Sequence, residues 1–250
     1  MLTPERHHLI IQLLKENNSV KIQDLVELTN SSESTIRRDL SQLEQGKFLK
    51  RVHGGAARLQ GKLLEPSMDE KSVKNLHEKQ KIAQLAASLI EDGDCLYFDA
   101  GSTILEMIPF LQAKDIVVVT NGIMNIPPLL EKNITTYLLG GLIKTKTKAI
   151  IGRGALLSLE QYRFDKCFMG VNSIHTQSGY TTPDQDEALI KQTAMSLSRE
   201  KYVLADASKF SEISFAKIAD LSEATIITNQ IDADTKEQFS SKTTLKVVTE

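Results

Sequence analysis

Apolar residues recur at helical spacing through the first fifty positions: Leu9, Ile10, Leu13 and Leu14, then Ile22, Leu25, Val26 and Leu28, then Ile36, Leu40 and Leu43. This spacing predicts three short amphipathic helices. Thr3 followed by Pro4 is expected to cap the first, and Asn17-Asn18-Ser19 to end it. Thr29-Asn30-Ser31 has the length of a turn joining two crossed helices. Ser32 is placed to accept a free backbone N–H near Thr35; Glu33 suits the positive end of the third helix, and Gly46 its end. Phe48-Leu49-Lys50-Arg51-Val52 then alternates as a strand of a small wing, and Gly54-Gly55 turns the chain.

From His77 the pattern changes. Ile82, Leu85, Ala86, Leu89 and Ile90 form one helix face, ended near Gly93. Short apolar runs follow at Cys95–Phe98, 116–119, 135–139, 166–169, 202–205, 225–228 and 245–248. Several are rich in β-branched residues, which favour strands, and helical stretches separate most of them. Near-continuous apolar strands between helices imply an α/β domain, a parallel sheet covered on both faces. The expected organisation is residues 1–57 as a winged helix-turn-helix, 58–75 as a linker holding Gly61 and Pro66, and 76–250 as a larger body.

Composition narrows this picture little. A chain of 250 residues with 41% hydrophobic positions can bury a substantial core. No stretch approaches the roughly twenty apolar residues of a membrane span, and the opening residues lack a signal-peptide pattern, so a soluble cytoplasmic protein is expected. Cys95 and Cys167 sit in apolar runs and read as buried free thiols. No Cys/His cluster has metal-ligand spacing, and no metal, cofactor or catalytic residue is expected. Charge changes the picture more. Met1 to Lys62 carries 10 Lys+Arg and 7 Asp+Glu, a balance of +3; the remainder carries 20 and 25, giving the whole-chain −2. A mildly basic head on an acidic body fits nucleic-acid contact at one end. So small an excess implies that two heads act together for tight binding.

The candidate chemistry follows from these elements. Ser34, Thr35, Arg37 and Arg38 fall near the start of the third helix, off its apolar face, with Arg51 and His53 in the wing behind. The N-terminal part of such a helix enters the DNA major groove, where short hydroxyls and guanidinium groups suit base edges and phosphates. In the body, Asp99-Ala100-Gly101-Ser102-Thr103 follows one strand, Thr120-Asn121-Gly122 the next and Gly140-Gly141 a third. Ligands in open α/β sheets bind beyond the carboxyl ends of strands. Gly101, Ser102 and Thr103 therefore read as a phosphate cradle, with Asp99, Asn121, Gly140 and Gly141 around it. Gly179-Tyr180-Thr181-Thr182-Pro183 reads as a turn. Glu187 and Lys191 lie four apart on one helix, which by spacing alone is a surface ion pair; Asp206 and Lys209 follow another strand and could face the cleft.

The run Ser34-Thr35-Ile36-Arg37-Arg38-Asp39-Leu40, then Leu43-Glu44, then Arg51-Val52-His53-Gly54-Gly55-Ala56, resembles the winged helix-turn-helix of the DeoR family of bacterial repressors. The body is similar to the effector domain of that family, itself similar to ribose-5-phosphate isomerase, through Asp99–Thr103, Thr120-Asn121, Leu139-Gly140-Gly141, Asp165-Lys166 with Gly170, Glu187 with Lys191, and Asp206 with Ser208-Lys209. This resemblance implies a repressor that binds double-stranded operator DNA as a homodimer or homotetramer and is released by a phosphorylated sugar or polyol. It also makes Glu187, Lys191 and Lys209 ligand candidates. Phe164-Asp165-Lys166-Cys167-Phe168 and Gly179-Tyr180-Thr181-Thr182-Pro183-Asp184 are most similar to fructose-operon repressors of Gram-positive bacteria, which implies fructose 1-phosphate. Ser173 departs from the pattern, since many relatives carry glycine there. The rival reading is a sugar-phosphate isomerase or deaminase with an appended DNA head, in which Asp184, Glu187, Lys191 and Asp206 move protons. A second rival is an activator, or a structural DNA-binding protein without an effector.

Overall fold

The computed structural model describes residues 2–17, 19–46, 48–52, 54–58, 63 and 65–248. Two compact units result, Met1–Gly61 and Lys62–Glu250.

The first unit runs α1 (Thr3–Asn17), β1 (Ser19–Lys21), α2 (Ile22–Thr29), α3 (Glu33–Gln45), β2 (Leu49–Val52) and β3 (Gly55–Arg58). Ile10, Leu14, Leu25, Ile36, Leu40 and Leu49 are buried together at its centre, as the helical spacing requires. The strands form an antiparallel sheet in the order β1-β3-β2. β1 was beyond the reach of pattern reading, because three residues with only Val20 buried are too few to show a period. A Cβ at Gly55 would lie 2.0 Å from the Val20 carbonyl oxygen, so β1 and β3 meet this closely only with glycine there. α1 begins at Thr3 itself, whose hydroxyl accepts from the Arg6 guanidinium at 3.2 Å, so the expected Thr3 cap does not form. α2 ends on Asn30 at φ 49°, a left-handed conformation that asparagine tolerates. Gly46 does end α3, but at an ordinary φ of −74°, with the Phe48 ring against it.

The second unit opens with α4 (Met68–Val73), α5 (Leu76–Ala87), β4 (Cys95–Phe98), α6 (Ser102–Met107), β5 (Val117–Thr120), α7 (Ile126–Glu131), β6 (Thr135–Leu138), β7 (Leu142–Lys144), β8 (Ala149–Ile151) and α8 (Arg153–Leu159). It continues with β9 (Phe164–Gly170), β10 (Ser173–His175), β11 (Gly179–Thr182), α9 (Gln185–Ser196), β12 (Ser198–Leu204), β13 (Ala216–Ala219), β14 (Thr225–Thr228), α10 (Ala233–Ser240) and β15 (Leu245–Val247). Seven strands form one sheet in the order β15-β14-β12-β9-β4-β5-β6, and every pair in it is parallel. Successive strand residues enter opposite cores: Tyr97, Cys167 and Ile226 on one face, Leu96, Phe168 and Ile227 on the other. Both faces are therefore buried, which is why the strands read as continuous apolar runs. The chain steps outward from β4 through β5 to β6, then returns to the other side of β4 with β9. The winding reverses between β4 and β9, and ligands bind at such a reversal, beyond the carboxyl ends.

Four expectations change here. Gly179–Thr182 is no turn but β11, paired with β10 and β13 in a small antiparallel sheet. All four residues are buried, so no polar alternation marked the strand. Cys95 is exposed and only Cys167 is buried, because Cys95 starts β4 at the rim of the sheet. Ser173 needs no glycine: it sits in the β10 ladder, and its hydroxyl lies 2.8 Å from that of Ser214. The expected linker, 58–75, does not stay free of the body. From Glu65 onward the chain packs onto it, with Glu65 and Met68 buried and α4 closed by a capping box between Ser67 and Glu70. Among the described residues no helix is long and apolar enough to cross a membrane.

Candidate functional site

In the first unit, the Ser32 hydroxyl accepts from the Thr35 N–H at 3.2 Å and caps α3 as its position in the sequence implied. The same oxygen lies 3.0 Å from Ser34 Oγ and 2.8 Å from Thr35 Oγ1, which gathers three hydroxyls at the start of the helix. Arg37 and Arg38 are exposed. Arg37 holds the Glu33 carboxylate one turn back, at 2.9 and 2.5 Å. Both side chains are more than half exposed, and such a pair is worth only about 0.3–0.5 kcal/mol. The guanidinium can therefore exchange this partner for a phosphate or base edge at little cost.

Two residues of the motif face inward. Asp39 is buried and accepts from Arg6 Nε at 2.7 Å and Nη2 at 3.1 Å, with His7 Nε2 3.2 Å away, so it ties α1 to α3. Nothing in the spacing marked Asp39, because its partners lie more than thirty residues upstream. Arg51 donates from Nη1 to Ser41 Oγ at 3.0 Å, and its backbone N–H reaches Glu44 Oε1 at 2.7 Å. It braces the wing against α3, at a position that the sequence also made a candidate for DNA contact. His53 lies outside the described residues.

In the second unit, Asp99 leaves the end of β4 and Gly170 ends β9, on either side of the reversal. Asp99 is 2% exposed; its Oδ2 accepts from the Gly170 N–H at 3.0 Å and from Lys191 Nζ at 2.5 Å. A Cβ on Gly101 would lie 3.4 Å from Gly170 Cα, so two glycines face each other across the crevice floor. Lys191 is itself buried; the surface ion pair with Glu187 that spacing suggested does not form, and Lys191 is paired with Asp99 instead. Glu187 is also buried, and its Oε1 accepts from Thr147 Oγ1 at 2.6 Å and Lys144 Nζ at 3.1 Å. Burial works against its charge, yet Lys191, the Thr147 hydroxyl and Lys144 together hold its carboxyl below the usual glutamate value.

Segment 65–79 crosses this end of the unit. Lys144 Nζ bonds Glu65 Oε2 at 2.5 Å and also Asp184 at 2.8 Å. The Met68 N–H donates to the Lys146 carbonyl at 2.9 Å. Asn75 Nδ2 donates to Asp206 Oδ1 at 2.9 Å, just past β12, and α4 packs against α6. The segment brings two lysines that sequence reading missed. Lys79 is buried, with its ammonium on the Lys71 carbonyl. Burial, aided by Lys209 and Lys71 and opposed by Asp206 and Glu106, pushes the Lys79 amine down to about 8. Lys71 is lowered by burial and by Lys191 and Lys209, against Glu187 and Glu65. Lys209 is lowered by burial, with Asp206 opposing and Lys74 adding to it. Lys71, Lys79, Lys191 and Lys209 thus form one cluster of amines, three of which hold their protons less firmly than an ordinary lysine. Such a cluster accommodates an anion, which would stabilise the charged forms. The readable trace of the segment was the Ser67-x-x-Glu70 capping pattern; the destination of its lysines was not readable.

Of the remaining expected cleft residues, Asn121 and Gly141 serve the frame. Asn121 accepts from the Ala100 N–H at 3.1 Å and donates to the Ile150 carbonyl at 3.3 Å, so it brackets the β4 loop against β8. A Cβ on Gly141 would lie 2.7 Å from the Ile151 carbonyl oxygen, which makes Gly141 a close-packing glycine beside the β7–β8 hairpin. Gly140 has open space around its Cα. Ser102 and Thr103 are buried in the first turn of α6, beside the crevice. A cleft of about 280 Å³ lies at the opposite, amino ends of β12 and β14, lined by Arg199, Glu200, Lys201 and Glu223 among others. It has charges of both signs and none of the four clustered amines. Among the described residues no group of His, Cys, Asp and Glu is placed to hold a metal ion.

Comparison with known proteins gives two family matches: a DeoR-like helix-turn-helix domain over residues 6–61 and a DeoR C-terminal sensor domain over residues 74–230. The chain is 59% identical over 249 residues to an uncharacterised HTH-type transcriptional regulator, FruR, of Bacillus subtilis, covering 99% of each chain. It is 34% identical over 248 residues to the lactose phosphotransferase system repressor of Staphylococcus aureus, covering 98% of each. It is 32% identical over 247 residues to the transcriptional regulator GlpR of Haloferax volcanii, covering 96% of each. Among solved structures, ribose 5-phosphate isomerase A of Methanocaldococcus jannaschii overlaps 55% of each chain at 17% identity and a TM-score of 0.41, too loose a likeness to carry an argument.

Proposed function

Because this chain belongs to the DeoR family of helix-turn-helix transcriptional regulators, we propose that it represses a sugar-utilisation operon and is released by a phosphorylated sugar, specifically fructose 1-phosphate. It is a regulator and not an enzyme: relatives matched over nearly their whole length are transcriptional regulators and repressors. Asp184, Glu187, Lys191 and Asp206 then serve as ligand-holding and structural charges in place of proton-transfer groups. The relative named as a lactose phosphotransferase system repressor favours a sugar operon.

The observation that carries the effector reading is the amine cluster over the β4–β9 reversal, in which Lys79 and Lys191 are buried, Lys71 and Lys209 are half-buried, and Lys71, Lys79 and Lys209 are all lowered. A phosphate dianion supplies the charge this cluster lacks, and the polar groups at the floor suit sugar hydroxyls. Ser34, Thr35, Arg37 and Arg38 read the operator, with two heads of a homodimer or homotetramer on paired half-sites. Release requires the effector to favour the weak-binding arrangement, and a coupling of about 1–3 kcal/mol suffices for a 5- to 150-fold change in operator affinity. The test is a thermal-shift panel of sugar and polyol phosphates, followed by operator release in fluorescence anisotropy. Fructose 1-phosphate should stabilise the protein most and release DNA. Lys191→Ala and Thr103→Ala should keep operator binding and blunt release. Normal induction in both variants, or stabilisation by no phosphate ester, refutes the reading.

A further inference from the structure

Lys71 stands between two destinations. Its ammonium is 3.9 Å from Glu65 Oε1, too long for a hydrogen bond. That oxygen is buried and has no hydrogen-bond partner, although Glu65 is only 6% exposed. On the other side Lys71 feels the amines of Lys191 and Lys209 within the crevice. Glu65 is held firmly through its second oxygen alone, by Lys144, which also grips Asp184 and Glu187. Glu187 lies one helical turn before Lys191, and Lys191 holds Asp99 on the crevice floor. A continuous chain of charges therefore runs from the crevice to Glu65, the residue at which the body starts to hold the chain arriving from the head.

We propose that Lys71 is both a ligand residue of the anion crevice and the residue through which an occupied crevice acts on Glu65. This deepens the effector reading above and rests on it. A phosphate in the crevice attracts the Lys71 ammonium toward itself and away from Glu65. The buried Glu65 oxygen, already without a hydrogen bond, then loses its nearest cation. A buried carboxylate oxygen left unpaired is costly, so the segment carrying it favours a new arrangement when ligand is bound. The head would sense ligand through this change at the start of the body. The placement also explains why a segment that sequence pattern gave to a linker is packed over the crevice.

The experiment uses the full chain, titrated with fructose 1-phosphate and with inorganic phosphate by calorimetry, and with labelled operator by anisotropy. Lys71→Ala should weaken fructose 1-phosphate binding about 10- to 100-fold, the loss of a charge-assisted hydrogen bond, and Lys71→Arg should restore most of it. Glu65→Gln keeps a side chain for Lys144 to bond, so ligand affinity should stay within about threefold while ligand-induced operator release falls at least about fivefold. Unaltered ligand binding in Lys71→Ala, or full release in Glu65→Gln, overturns the inference. In that case Lys191→Ala still loses ligand binding, and the effector reading survives. If the wild-type chain binds neither phosphate probe, both fall together.

Discussion

Raising the pH from 7 to 9 should weaken fructose 1-phosphate binding about tenfold, an expectation worked from Lys79. Its amine is pushed down to about 8 by burial, with Lys209 and Lys71 adding to the effect and Asp206 and Glu106 opposing it. A bound dianion restores the amine toward its ordinary value of 10.5. Affinity then follows the fraction of free protein already charged at Lys79, roughly nine-tenths at pH 7 and one-tenth at pH 9. Lys71 and Lys209 are lowered in the same direction, so neither opposes the fall. The phosphate ester ionises for the second time at about pH 6 and adds little in this window. Without ligand the sign reverses. Lys79 has a lower value folded than unfolded, so above about pH 8 the unfolded chain binds more protons and stability rises with pH. Calorimetry at pH 7, 8 and 9 in buffers of different ionisation enthalpy measures both affinity and proton uptake. Uptake should be about half a proton per site at pH 8, and Lys79→Met should flatten the slope. Equal affinity at pH 7 and 9, or the same slope in Lys79→Met, refutes the assignment of Lys79 to the anion crevice.

Arg37→Ala should weaken operator binding by about 1–3 kcal/mol and lower the salt slope if the contact is to phosphate, while sugar-phosphate binding stays intact; unchanged affinity in a gel-shift titration removes Arg37 from the interface. Asp39→Ala should lower the melting temperature of the head and with it DNA binding, although the buried Asp39 side chain is not presented to DNA; an unaltered melt would deny it the brace between α1 and α3. Gly141→Ala should destabilise the body by about 1–3 kcal/mol, because the added methyl meets the Ile151 carbonyl oxygen at 2.7 Å; chemical denaturation with an unshifted midpoint would show that the hairpin yields freely.

The period of the apolar positions by itself determined the two-part plan. A spacing of three and four made α1, α2 and α3 legible, and continuous β-branched runs made the parallel sheet legible, because both periods reflect which faces are buried. The Ser32 cap was legible for a similar reason: its bond to Thr35 is local, three residues long. The small antiparallel strands were not, since β1 is too short to show a period and β11 is buried at every position. Only the tertiary structure decided which charges meet. Asp99 and Lys191 are 92 residues apart in the chain, and Lys144 and Glu65 are 79 apart. Spacing alone placed Glu187 and Lys191 on the surface; packing of α9 over the β4–β9 reversal placed them inside. The fold of the body also set Lys71 and Lys79 beside the crevice and turned Asn121 and Gly141 into parts of its frame, while in the head Arg51 braces the wing against α3. Hydrophobic periodicity is a local signal and survives in the sequence, whereas electrostatic partnership depends on distances that exist only once the sheet has closed.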